Sequence, residues 1–181
     1  MLKVPPLVCD TGIILRFGIT NQLRILESLY SGNIILPTEV INEFITIGKL
    51  NHDLTDAIQK KWIEEFKINF VDHPNICLTF AKLNKRFGAG ESAVMAIAKD
   101  KGWTVGSDDL KATKKYCSTN KIPLMGTLGI LYDAYDKEII NASEGQQILN
   151  DMLSKTRYIC PVKLFSNVID WFEKGQGRRL Y

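Results

Sequence analysis

Histidine is nearly missing from this 181-residue chain, with two copies, and the four cysteines stand apart from one another. Cys9, Cys77, Cys117 and Cys160 form no Cys-x-x-Cys pair and no cluster with His52 or His73. The spacing of a zinc site is therefore absent, and a disulfide framework has no basis in a chain of this length. No apolar run approaches the length of a membrane span. There is no Ser-, Gly- or Pro-rich linker, no internal repeat and no low-complexity tract. The opening, Met1-Leu2-Lys3-Val4-Pro5-Pro6, reaches two prolines before any long apolar stretch and does not read as a secretory signal. Neither sign of charge dominates: 23 Lys and Arg against 20 Asp and Glu leave a formal charge of +3. Such mild basicity permits contact with nucleic acid without requiring it. What remains is an ordinary globular composition, 45% hydrophobic and 24% charged, of a size that suits one domain with its own core. The reading is a protein of a reducing cytoplasm, with no membrane partner.

Short apolar runs alternate with helical patterns along the chain. Leu7-Val8-Cys9 is a first buried strand, followed by a helical face through Leu23, Leu26, Leu29 and Tyr30. Ile34-Ile35-Leu36 is a second strand, stopped by Pro37, with Thr38 as the expected N-cap of a helix through Phe44. Leu54, Ile58, Trp62 and Phe66 step by four, which predicts an amphipathic helix over that stretch. A third strand is expected at Ile68–Val71. Gly88-Ala89-Gly90 opens a helix of small residues, Trp103–Ser107 is a fourth strand, and a basic helix follows it. Ile122-Pro123-Leu124-Met125 is a fifth strand, placed at a sheet edge by its proline. Helices beginning near Thr127, Ser143 and Lys163 close the chain. Alternation of this kind predicts a three-layer α/β/α fold around a central parallel five-stranded sheet.

In such sheets ligands bind beyond the carboxyl ends of the strands. Asp10 is the first residue past strand one, and Asp108 and Asp109 come just after strand four. Glu91 lies in the first turn of the helix that Gly-Ala-Gly introduces, and Glu43 sits one turn into the helix after strand two. Each of these alone reads as a helix cap, a favourable helix-dipole partner or a solvated carboxylate. Together they predict five acids at one rim. Such a group stays ionised only around a cation, and ligation by oxygen alone suits Mg²⁺ or Mn²⁺. A cation of that kind activates water and neutralises a phosphate during in-line attack. Lys111, Lys114 and Lys115 on the following helix are candidates for steering a phosphate backbone, beside the ordinary reading of a solvated helix face.

Three stretches resemble the PIN-domain nucleases, in particular the small prokaryotic toxins of the VapC type. They are Val8-Cys9-Asp10-Thr11-Gly12, Ile35-Leu36-Pro37-Thr38-Glu39-Val40-Ile41-Asn42-Glu43-Phe44, and Gly90-Glu91-Ser92-Ala93 with Val105-Gly106-Ser107-Asp108-Asp109. Gly126-Thr127-Leu128-Gly129 adds to them. The resemblance covers roughly residues 7 to 135 and implies strand order 3-2-1-4-5, with strands one and four side by side. It implies a nuclease domain over 1–135, with 136–181 as a helical extension packed on it. It also implies a metal-dependent endoribonuclease leaving 5′-phosphate and 3′-hydroxyl ends, the toxin of a toxin–antitoxin pair, with RNA, an antitoxin protein and a second copy as partners. The implied catalytic acids are Asp10, Glu43, Glu91 and Asp109. Candidate metal ligands are Asp10, Glu91, Asp108 and Asp109, with Thr11 and Ser107 positioning water or a ligand oxygen. Glu91 is a departure, since many members carry Asp there. The alternatives are a non-catalytic regulator of the same fold that binds RNA or protein, and a phosphohydrolase acting on a small molecule.

Other signals are set aside. Asp10-Thr11-Gly12 matches the aspartic-protease tripeptide, but that chemistry needs two such loops, and the surroundings here are α/β. Gly88-Ala89-Gly90 lacks the Gly-Lys-Ser/Thr of a phosphate loop. Arg178-Arg179 lies in a polar tail. Trp62, Trp171 and Phe172 read as core.

Overall fold

The runs Leu7–Cys9 (β1), Ile34–Pro37 (β2) and Thr104–Gly106 (β4) are buried at every residue, as strands must be when helices cover both faces of a sheet. A computed structural model of the chain describes residues 6–48, 51–109 and 111–175. Met1–Pro5 and the Arg178-Arg179 tail lie outside the described residues. Two further strands, β3 (Ile63–Phe66) and β5 (Leu124–Met125), complete an all-parallel sheet of order β3-β2-β1-β4-β5. The register sets Leu7, Val8 and Cys9 opposite Thr104, Val105 and Gly106. The predicted three-layer α/β/α class and strand order are therefore present, and β1 and β4 are neighbours at the centre. β5 lies at an edge, next to Pro123, as expected.

Helices α1 (Thr11–Ile19), α2 (Leu23–Tyr30), α3 (Thr38–Ile47), α4 (Asn51–Gln59), α5 (Pro74–Leu83) and α6 (Ala89–Lys101) supply most of the covering layers. In α6 the small residues Ala93, Ala96 and Ala98 are fully buried along with Val94, Met95 and Ile97. Their size lets the helix pack closely on β1, β2 and β4 and against α3 and α5. After β4 come α7 (Ala112–Asn120), α8 (Thr127–Asp136), α9 (Ala142–Lys155) and α10 (Phe165–Glu173). Helix α9 starts with a capping box, in which Asn141 and Glu144 each accept from the other's backbone N–H. It packs on α1, α8 and α10, while α10 also packs on α8, where Phe172 stacks on Tyr132 at 4.7 Å.

Two expectations need correction. The helix predicted through Phe66 ends at Gln59, and the third strand is Ile63–Phe66, not Ile68–Val71. Lys61 takes a left-handed conformation (φ 59°), and Trp62 N–H bonds back to the Ala57 carbonyl, which turns the chain out of the helix. Ile63 then pairs with Ile34 and Phe66 with Pro37, while Phe70 and Val71 are exposed. Thr38 is not a side-chain cap either. Pro37 occupies that position, and the Thr38 hydroxyl donates to Glu65 Oε1 at 2.8 Å, tying α3 to β3. Among the described residues no helix is long and apolar enough to cross a membrane.

Candidate active site

The parallel pairing of β1 and β4 determines where the first acids fall. Asp10 leaves β1 with its N–H bonded to the Gly106 carbonyl at 2.9 Å. Its side chain then caps α1, Oδ1 accepting from Ile13 N–H at 2.9 Å. Burial pushes the Asp10 carboxyl up to about 6. A hydrogen bond from Ser107 and the Ile13 amide work against that shift, Asp108 adds to it, and Arg16 opposes it. The carboxylate is thus held by the turn that follows β4 as well as by its own helix.

Glu43 reaches the rim from α3. Its Oε2 accepts a short hydrogen bond from the Thr11 hydroxyl, and its Oε1 accepts from Gly90 N–H at 3.2 Å. One carboxylate therefore joins the starts of α1 and α6. Gly90 is required for that approach, because a Cβ there would lie 2.5 Å from Glu43 Oε1.

Glu91, the next residue, meets α7. Its Oε1 accepts from the Thr113 hydroxyl at 2.6 Å. Burial raises the Glu91 carboxyl, the Thr113 hydroxyl lowers it, and Asp109 and Glu43 raise it again. Asp109 responds oppositely. Burial would raise it, but the amides of Lys111 and Thr113, the neighbouring Glu91 carboxyl and the Ala112 amide hold it below its ordinary range. The two carboxyls are thus close enough to influence each other, with Glu91 held up and Asp109 held down.

Asp108 is placed differently from its neighbour. Oδ1 accepts from Thr127 N–H at 2.8 Å and Oδ2 from the Thr127 hydroxyl, so the residue fastens the start of α8. Arg16 Nη1 lies 2.8 Å from the same Oδ2. Ser107 is buried and its Oγ accepts from Asp109 N–H at 3.2 Å. Lys111, Lys114 and Lys115 are exposed along α7 and its start.

Each of the acids at this rim thus has partners of its own. Among the described residues no three Asp, Glu, His or Cys side chains form a ready-made metal cage. The structure gives a Glu91–Asp109 pair flanked by Glu43, and Asp10 on the neighbouring strand end beside Ser107. The physical reason is local: each carboxylate is satisfied by the nearest hydroxyl or amide, and Asp108 by Arg16 and Thr127. Arg16, Thr113 and Tyr158 were not among the residues singled out from sequence. Thr113 follows Asp109 by one helical turn, a spacing that could have marked it. Arg16 is the one charge within the apolar run of α1.

A family model described as a PIN domain matches residues 6–174. The chain belongs to the PIN-domain family. A search of curated proteins finds no match to it. The match makes the fold that of a PIN-domain nuclease, and it extends through α9 and α10. Members of this family typically work with a divalent metal, and the donor chemistry of the PIN-domain rim fits one. The donors are all oxygen, which hard divalent cations prefer. A cation would also offset the mutual repulsion of the neighbouring Glu91 and Asp109 carboxylates.

Proposed function

We infer that this PIN-domain protein is a Mg²⁺- or Mn²⁺-dependent endoribonuclease, the toxin of a toxin–antitoxin pair working in the cytoplasm. The observation that carries the reading is the Glu91–Asp109 pair at the carboxyl edge of the sheet, beside β1 and its Asp10. Asp10, Glu91 and Asp109 would hold the metal. When bound, it would neutralise charge on a scissile phosphate and acidify the attacking water. Glu43 is fixed by the Thr11 hydroxyl and the Gly90 amide, so it holds the starts of two helices in register around that point. Ser107 supports both Asp10 and the Asp109 backbone. Asp108 is occupied with Arg16 and Thr127, which supports Asp109 as the ligand. The exposed Lys111, Lys114 and Lys115 supply positive charge for the RNA backbone. An antitoxin protein and a second copy of the chain are the partners this reading calls for.

The test is cleavage of a single-stranded RNA pool by the purified chain, with Mg²⁺ or Mn²⁺ against EDTA, and end analysis for 5′-phosphate and 3′-hydroxyl. Lys114→Ala with Lys115→Ala should weaken RNA binding about tenfold near physiological salt. It should also reduce the slope of log affinity against log salt by about 1.4, since each phosphate contact in a single strand contributes about 0.7. An unchanged slope would remove these lysines from the interface. Metal binding without cleavage of any RNA would favour the non-catalytic regulator.

A further inference from the structure

Resting on the metal-dependent reading above, we propose that the segment after α9 completes the site: Tyr158, acting through Arg16 and Asp108, is a positioning residue that sets the Ser107–Asp109 turn. Arg16 lies on α1 and reaches back one turn, as helical side chains do, over Gly12, where a Cβ would meet Nη1 at 2.8 Å. Its guanidinium meets Asp108 Oδ2 at 2.8 Å on one side, and its Cζ lies 4.7 Å from the centre of the Tyr158 ring. Tyr158 is itself buried, at 8% exposure, although it lies in the irregular stretch between α9 and α10.

Among the described residues, the guanidinium meets these two neighbours. Among the same residues its Nε is buried without a hydrogen-bond acceptor, and Nη1 faces Asp108 as an ion pair without hydrogen-bond alignment. With the ring removed, an arginine has many rotamers to choose from and little to keep it over Asp108. Asp108 lies between Ser107, which supports Asp10, and Asp109, which faces Glu91. Thr127 pins Asp108 from the α8 side and Arg16 from the α1 side. The turn carrying Asp109 is therefore clamped between two helices, and the aromatic ring from beyond α9 closes the clamp. Groups that orient metal ligands in this way typically change metal affinity when removed.

The experiment measures Mn²⁺ binding by calorimetry, and RNA cleavage in parallel, on the full chain. The variants are Tyr158→Ala, Tyr158→Phe, Arg16→Met, and Tyr158→Ala combined with Arg16→Met. Tyr158→Ala should weaken Mn²⁺ binding about tenfold and lower kcat with KM nearly unchanged. Tyr158→Phe, which keeps the ring, should restore both. Because Tyr158 acts through Arg16, the double variant should be no worse than Arg16→Met alone. Arg16→Met keeps the stem packing, so it reads the lost charge even where Tyr158→Ala fails to fold. Wild-type Mn²⁺ affinity in Tyr158→Ala or in Arg16→Met, or additive losses in the double variant, would overturn the proposal. So would an Arg16→Met effect confined to KM with a shallower salt dependence, which would make Arg16 an RNA phosphate contact. Absence of Mn²⁺ binding by the wild type would overturn it too. Mn²⁺ binding without RNA cleavage would remove the ribonuclease reading alone, and the binding series would still decide the role of Tyr158.

Discussion

Asp10→Asn is expected to lower RNA cleavage at least about a thousandfold while making the metal-free protein more stable. On the proposed metal-dependent reading, the first effect follows from losing a ligand charge that matters most in the transition state, and RNA retention should change little. The second follows from burial. The Asp10 carboxyl is raised to about 6 in the folded protein, against about 3.9 in an unfolded chain. The folded state therefore binds more protons between those values, and stability falls as pH rises from about 4 to about 6. Above that window the cost is fully present, on the order of 2–3 kcal/mol. Asparagine carries no charge to desolvate and still caps the helix. In EDTA at pH 7.5 the variant should melt several degrees above the wild type, and the difference should shrink towards pH 4.5. Calorimetric melts at the two pH values decide the matter. A variant that melts no higher than the wild type in EDTA would show that Asp10 is not strained by its site. Retained cleavage would place the chemistry elsewhere.

Gly90→Ala should lower activity with little change in stability. The new Cβ would lie 2.5 Å from Glu43 Oε1 and 3.1 Å from Val40 Cγ2. The Glu43 carboxylate has to swing away, losing the Gly90 amide and disturbing the Thr11 hydroxyl. Alanine in a helix gains about 0.5–1 kcal/mol over glycine, which offsets much of the crowding, so the melting temperature should move by no more than a few degrees. The shift of an acid by about 1 Å should still cost roughly a hundredfold in kcat. Single-turnover cleavage together with a thermal melt gives both numbers. Full activity would mean that Glu43 need not be held where the structure has it.

The frame of the site was legible because its signals are local. Leu7-Val8-Cys9, Ile34-Ile35-Leu36 and Thr104-Val105-Gly106 are contiguous apolar runs, and each is a buried strand in the structure. Asp10, Glu91 and Asp109 each sit at the start of a helix or just before one, so their places followed from the strands. The β3 region misled because Leu54, Ile58, Trp62 and Phe66 satisfy a helical spacing across a chain reversal. The left-handed Lys61 that makes the reversal carries no sequence mark, being neither glycine nor asparagine. The directions the carboxylates face were not legible at all. Whether Asp108 or Asp109 turns to Glu91 depends on Arg16, Thr113 and Thr127, which come from three different helices. The stacking of Tyr158 on Arg16 joins residues from opposite ends of the chain and has no periodic or motif signature.

The central place of β1 has a consequence in time. Val8 is flanked by Ile35 on one side and by Val105 on the other, and the second of these partners is synthesised roughly a hundred residues later. A long-range parallel pairing of this kind is slow, because a large loop must close before any contact rewards it. On the ribosome the first strand emerges early but gains its second neighbour only when more than half of the chain has followed. Asp10 and Asp109 are carried by those two strand ends, so the two acids become neighbours only after β4 has been made and paired. On the proposed ribonuclease reading, a nascent chain is therefore expected to gain activity only once β4 has been made.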